Sequence, residues 1–133
     1  MSSIFSKIVS GDIPAYKLAE DERYLAFLDI NPLVMGHTLV IPKKEVDYIF
    51  DLDNDTLAGL HVFARKVAKA IEQVVECERI GVTVIGLEVP HAHVHLIPIN
   101  GVGDMNFNQP KLSPTQEEMV QITEKIKSAL DKL

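Results

Sequence analysis

The sequence predicts an α+β domain with a mainly antiparallel sheet, and three observations predict it. Short apolar segments with two-residue alternation occur in neighbouring pairs, joined by links that carry Gly and Pro. A long stretch after Asp53 repeats its apolar residues at three- and four-residue spacing, and a second such stretch closes the chain. The order is therefore strands, helix, strands, helix, which suits helices gathered on an antiparallel sheet better than the regular alternation of a parallel one.

The first pair is Tyr24 to Asp29 (YLAFLD) and His37 to Ile41 (HTLVI), joined by the loop INPLVMG with its Pro32 and Gly36. From Thr56 the apolar set Leu57, Leu60, Ala64, Val67, Ala68, Ile71, Val74 and Val75 predicts an amphipathic helix running to about Glu78. Asp53, Asn54 and Asp55 offer its cap and favour its positive end. Two further strands are expected at Val82 to Ile85 and Val89 to Ile97, with Gly86-Leu87-Glu88 as a tight hairpin link. A polar loop, NGVGDMNFNQPKL, leads to a last helix starting at Ser113, where Ser-Pro-Thr-Gln supplies a cap, a proline at the first helical position and Gln three residues on. Its apolar stripe is Met119, Ile122, Ile126, Ala129 or Leu130, and Leu133.

With 133 residues, 47% hydrophobic and 24% charged, the chain is expected to fold as a single domain spanning 1–133; it shows no repeat or linker-like tract. A net charge of -6 argues against a nucleic-acid polymer as partner, so a phosphate-bearing ligand must be held by a local site. The single cysteine, Cys77, excludes an internal disulfide and a cysteine-based zinc site within one chain. No apolar run approaches the ~20 residues of a membrane span, and the first residues lack a signal-peptide core. A cytoplasmic location and no membrane partner are the expectations.

The chemistry points to HAHVHLIPI, residues 91 to 99. In a strand, alternate side chains share a face, so His91, His93 and His95 would project from one side at steps of ~6.7 Å, with Ala92, Val94 and Leu96 on the other. Pro90 and Pro98 oppose a helix here. Three readings stand beside one another. A solvent face is one, although such faces usually draw Lys, Glu and Thr. A metal site is another, since neutral imidazole suits zinc, copper and iron, but no carboxylate stands at short spacing and ligands on one straight strand diverge. The third is attack on phosphorus, with one neutral imidazole as nucleophile and a neighbour that stabilises anionic oxygens or protonates a leaving group. His61, on the helix, reads as a boundary residue.

His-Ala-His-Val-His-Leu-Ile resembles the His-φ-His-φ-His-φ-φ signature of the histidine-triad (HIT) family of nucleotide hydrolases and transferases, φ being apolar. The segment IFSKIVSGDIPAYKLAEDERYLAFLDINPLVMGHTLVIPKKEV also resembles the N-terminal half of the branch with purine nucleoside phosphoramidases, so the likeness runs from about Ile4 to Ile97. The resemblance implies a five-stranded antiparallel sheet with two main helices, and a homodimer whose sheets join into ten strands. It implies a nucleotidyl-histidine formed on His93, oriented by the carbonyl of His91, with His95 on the phosphate or leaving group and His37 beside the triad. It places the nucleoside of a purine nucleotide or phosphoramidate against Ile4, Phe5, Ile8, Phe27, Asp29 and Ile30, with no cofactor and no metal. Such enzymes usually carry a longer Asn-bearing loop and then Gly-Gln-Ser or Gly-Gln-Thr before the triad. Here Leu87 and Glu88 stand in those places, so Glu88 is expected to point away, to pair with a cation, or to signal a changed substrate; the alternative to an enzyme is a nucleotide-binding module with weak or no turnover.

Overall fold

The computed structural model describes residues 2–133. Five strands, β1 (Lys17–Glu20), β2 (Tyr24–Leu28), β3 (Thr38–Pro42), β4 (Arg79–Thr83) and β5 (Val94–Ile99), form one antiparallel sheet in the order β1-β2-β3-β5-β4. Helices α1 (Ile4–Ser10), α2 (Asn54–Val74) and α3 (Gln116–Asp131) cover it. The α+β class and the five-stranded sheet are as expected. No described helix is long and apolar enough to cross a membrane.

Strand alternation divides the core in two. Tyr24, Ala26 and Leu28 of β2, Val40 of β3, and Val94 and Leu96 of β5 face α2 and α3, packing with Leu60, Val67, Ile71, Met119 and Ile126. Leu25, Phe27, Leu39 and Ile41 face the other way, where Phe5 and Ile8 of α1 cover them. The three histidines lie on this second side, opposite Ala92, Val94 and Leu96, as their parity predicts.

Several boundaries differ from expectation. The helix expected to reach Glu78 stops at Val74; Val75 turns extended and packs where a side chain on Gly36 would lie, 3.0 Å from its Cγ2. β4 begins at Arg79, earlier than Val82, because pairing with β5 from Arg79↔Ile99 to Thr83↔His95 sets its ends. No tight hairpin forms at Gly86-Leu87-Glu88: residues 84–93 leave the sheet as a broad loop, and Gly86 takes a φ of 75° inside it. Hence His91 and His93 precede the strand, their segment held by bonds from Ala92 N–H to the Val46 carbonyl (2.7 Å) and from His91 N–H to that of Val89 (2.8 Å). The last helix is capped by Thr115, two residues past the expected Ser113. Thr115 and Glu118 exchange both bonds of a capping box, in which a carboxylate outcompetes the Gln expected to serve. Along its stripe Met119, Ile122, Ile126 and Leu130 are buried, while Leu133 is exposed.

α1 and β1 have no counterpart in the sequence expectations. α1 is capped by Ser3, whose hydroxyl accepts from Ser6 N–H, and ends on Gly11 at φ 87°.

Candidate active site

The site is built at the end of the sheet where β2 gives way to the turn leading into β3. Gly36, at φ 96°, lets that turn close against Val75 and Pro98, and Asp29 N–H donates to the His37 carbonyl at 3.0 Å. His37 is thereby set just ahead of β3, and the β3–β5 pairing Leu39↔His95 brings His95 beside it. Four imidazoles, from His37, His91, His93 and His95, collect in one place and all are buried.

Each ring has a partner that decides its tautomer. His93 Nδ1 lies 2.7 Å from the His91 carbonyl; a carbonyl only accepts, so Nδ1 carries the proton and Nε2 keeps a lone pair. His37 is held in the opposite sense. Leu33 N–H donates to its Nδ1 at 3.1 Å, so the His37 proton sits on Nε2, which donates to His95 Nδ1 at 3.0 Å. His95 must then carry its own proton on Nε2. The free Nε2 atoms of His93 and His95 make no hydrogen bond to described protein groups, and both residues line a cavity of about 340 Å³. The two rings meet edge to face at 4.9 Å, so a lone pair and an N–H stand side by side.

The electrostatics keep His37 and His95 uncharged. Burial, with the Lys111 ammonium adding to it, lowers His37 from 6.5 to about 4. Burial, then the neighbouring His93 and His37, lowers His95 to about 3. Burial raises Asp29, and the Glu88 carboxylate adds in the same direction. Asp29 Oδ2 is 3.8 Å from His37 Nε2, beyond hydrogen-bond reach, and since His37 is neutral this is no ion pair at neutral pH.

His91 is a strut. Its Nε2–H donates to the Pro42 carbonyl at 2.7 Å, and its Nδ1 accepts from the Ser3 hydroxyl at 2.8 Å. Glu45 Oε1 in turn accepts from Ser3 N–H and Ser6 Oγ, each at 2.6 Å. The start of α1, the end of β3 and the triad segment are thus tied together, and the His91 carbonyl that orients His93 is fixed by them.

Asp29, His37 and His95 bring a carboxylate oxygen and two ring nitrogens within 4.8 Å of one another, spacing that would suit a metal ion. The donor set does not fit one. A metal on His37 Nε2 would force the proton onto Nδ1, which faces the Leu33 N–H donor, whereas a ligating histidine needs an acceptor there.

Of the residues expected to hold a nucleoside, Ile4, Phe5 and Asp29 line the cavity. Ile8 and Phe27 lie behind that wall in the second core cluster, Phe27 edge-on to Phe5 at 5.4 Å, and Ile30 points outward at 61% exposure. Glu88 does not point away: it lines the cavity, as do Leu87 and Asn31. His61 is remote and exposed, its Nδ1–H on the Leu57 carbonyl at 3.1 Å. A larger hollow of about 710 Å³, between β1 and α2, is shallow and touches none of the four imidazoles.

Sequence reasoning missed Ser3, Ser6, Glu45, Phe107 and Lys111. Phe107 packs edge-on to His95 at 4.9 Å and to His37 at 6.0 Å, and Lys111 lines the cavity mouth. Both come from the polar loop after β5, in which they are the one aromatic residue and the one lysine.

Residues 10–101 match the HIT domain family. The chain is 38% identical over 133 residues to an adenosine 5'-monophosphoramidase of Schizosaccharomyces pombe, covering 98% of this chain and 99% of that protein. It is 41% identical over 128 residues to an uncharacterised HIT-like protein of Methanocaldococcus jannaschii, covering 90% and 97%. Among solved structures, a zinc-bound histidine triad family protein from Mycobacterium smegmatis superposes with a TM-score of 0.85 at 30% identity, over 99% of this chain and 95% of that one.

Proposed function

This chain belongs to the HIT domain family, and from that premise we propose that it is a nucleotide hydrolase or transferase that cleaves a nucleoside monophosphate from a phosphoramidate or polyphosphate leaving group. The reaction proceeds through a covalent nucleotidyl-His93. One observation carries the reading: the 2.7 Å bond from His93 Nδ1–H to the His91 carbonyl, which leaves the Nε2 lone pair as the only basic atom presented to the cavity by that ring. His93 Nε2 attacks the α-phosphorus, the bond to the leaving group breaks, and the electron pair departs with that group. Water then attacks the same phosphorus, the P–N bond breaks back to His93, and a proton is released with the nucleoside monophosphate. His95 acts as a neutral donor through Nε2–H, stabilising charge on a phosphate oxygen without ionising, as its depressed pKa requires.

The apolar wall of Ile4, Phe5 and Leu39 suits a purine base, and Asp29 suits ribose hydroxyls. The printed activity of the S. pombe relative supports adenine among the purines. β4 is a free edge strand that exposes Val82, which fits a homodimer in which two sheets join into ten strands. A single-domain protein acting in the cytoplasm, without nucleic acid, membrane or cofactor, completes the proposal.

The second reading, a nucleotide-binding module with little turnover, draws on Leu87 and Glu88: a carboxylate facing the cavity beside Asp29 repels phosphate. One experiment separates the two. Acid quench after mixing with a labelled adenylated substrate should leave adenylate on the wild-type protein, whereas His93→Asn should bind nucleotide yet trap none and lose turnover. A His93→Asn protein that hydrolyses at the wild-type rate removes the enzymatic assignment.

A further inference from the structure

We propose that Glu45 is a positioning residue for the nucleophile: through Ser3 and Ser6 it sets the place of His91, and through His91 the aim of His93 at phosphorus. This rests on the nucleotide-hydrolase reading above and adds to it a residue outside the cavity that governs the first chemical step. Glu45 is exposed and does not line the cavity, so its effect must travel through other groups. Among the described residues it makes no ion pair, and its hydrogen bonds lead inward to the two serines.

The protons of this network have one arrangement. His91 Nε2–H donates to the Pro42 carbonyl, which leaves His91 Nδ1 as an acceptor. Two hydroxyls lie near that atom, Ser3 Oγ at 2.8 Å and Ser6 Oγ at 3.4 Å. Each hydroxyl has a single proton, and that of Ser6 goes to Glu45 Oε1 at 2.6 Å, so the Ser3 hydroxyl is the one that donates to His91. Ser3 N–H also donates to Glu45 Oε1, and Ser6 N–H donates to Ser3 Oγ at 3.0 Å. One carboxylate oxygen thus fixes both serines. The bond from the Ser3 amide, then that from the Ser6 hydroxyl, holds the Glu45 carboxyl below the usual carboxylate range, so at neutral pH it only accepts.

The next residue completes the hold. The Val46 carbonyl accepts from Ala92 N–H at 2.7 Å, and that N–H belongs to the same peptide group as the His91 carbonyl. The His91 carbonyl in turn accepts from His93 Nδ1–H at 2.7 Å. Val46 carbonyl, 91–92 peptide and His93 ring therefore stand in series, each polarised in the same sense. When Nε2 bonds to phosphorus the His93 ring carries positive charge, shared with Nδ1–H, and the bond to the carbonyl strengthens. A peptide free to rotate would give up that bond and let the ring settle with its proton on Nε2, a form that cannot attack.

The test follows adenylate on the protein by acid quench at short times after mixing with labelled adenosine 5'-phosphoramidate. In Glu45→Ala the rate constant at saturating substrate should fall about tenfold, less than the ~100-fold that a misplacement of about 1 Å can cost, because the Pro42 and Val46 bonds remain. The concentration giving half that rate should stay within about twofold, since no contact to substrate is removed. Glu45→Gln keeps an oxygen acceptor for both serines and should return the rate constant to within about threefold of wild type. Nitrogen NMR reads the aim of His93 without substrate: wild type should show the Nδ1–H form alone, Glu45→Ala a second population protonated on Nε2, and Glu45→Gln the wild-type pattern. With adenylate still trapped on wild type, an unchanged rate constant in Glu45→Ala, a His93 spectrum that stays wild-type, or a loss that Glu45→Gln fails to restore overturns the role of Glu45 and leaves the hydrolase reading intact. A wild-type chain that traps no adenylate removes both. Glu45 is exposed, so its variants should fold, and circular dichroism checks that they do.

Discussion

Acidifying the protein should destabilise it well before its carboxylates titrate, because His37 and His95 are stored in their neutral forms. In the unfolded chain each imidazole has an ordinary value of 6.5; in the native protein His37 titrates at about 4 and His95 at about 3. Below 6.5 the unfolded state takes a proton that the native state refuses. The stability conferred is thus complete above 6.5 and is lost as pH falls toward 4. Each of the two rings contributes such a proton, and the figure that follows is for one of them. A full proton difference is worth about 1.4 kcal/mol per pH unit, and with the onset near 6.5 the loss between pH 7.5 and pH 5 is about 2 kcal/mol. That is a large part of the ~5–15 kcal/mol that holds a domain of this size. His91, also lowered by burial, adds with the same sign. Asp29, raised by burial, opposes it, but only near the carboxylate range, and Glu20 and Asp53 act below 4.5. The window from pH 6.5 to 5 therefore belongs to histidine. Urea unfolding at pH 7.5, 6.5, 5.5 and 5 should show the decline, and in His37→Asn the slope should be shallower although the starting stability is lower. A urea midpoint constant across this range, or an unchanged slope in the variant, would show that these rings are not held neutral.

Two further substitutions test the packing that supports the site. Gly59→Ala ought to gain about 1 kcal/mol in an ordinary helix interior, yet here the added methyl would lie 2.8 Å from the Cζ of the buried Tyr24, whose hydroxyl donates to the Thr56 carbonyl at 3.1 Å. Overpacking of ~1–3 kcal/mol should win, so the thermal midpoint falls; a rise would mean that the Tyr24 ring moves aside freely. Ser3→Ala removes both the α1 cap and the hydroxyl on His91 Nδ1, and should cost about 1–2 kcal/mol in urea unfolding, with no loss expected only if the two bonds are replaced by water.

The triad was legible because its period is the period of a strand: alternation put three imidazoles on the side away from α2 and α3 even though His91 and His93 lie in the loop before β5. His37 was legible from the segment GHTLVIPK. The groups that set the tautomers were not, since a backbone amide at Leu33 has no side-chain signature. Ser3, Ser6 and Glu45 converge on His91 from positions more than 40 residues away, where no local spacing reports the encounter. α1, seven residues long, is too short to display a helical period, and only its brackets, Ser3 and Gly11, mark it. The hairpin expectation failed because Gly86 supplies a positive φ without a matching strand on its C-terminal side, Pro90 and the bond from Ala92 to Val46 holding that segment out of the sheet.

Two backbone groups of opposite polarity account for the difference between two chemically identical side chains. A carbonyl behind His93 obliges that ring to present a lone pair, and an amide N–H behind His37, passed on through one imidazole, obliges His95 to present a proton. Neither assignment needs a charge, so both survive burial, and burial in turn keeps His37 and His95 from gaining a proton that would break the series between them. Exchanging the polarity at either end would give two donors or two acceptors facing the cavity, and not the donor–acceptor pair that the proposed reaction uses. In the proposed reaction, nucleophile and electrophile would therefore be properties of the turn at Leu33 and of the loop at His91 as much as of the histidines themselves.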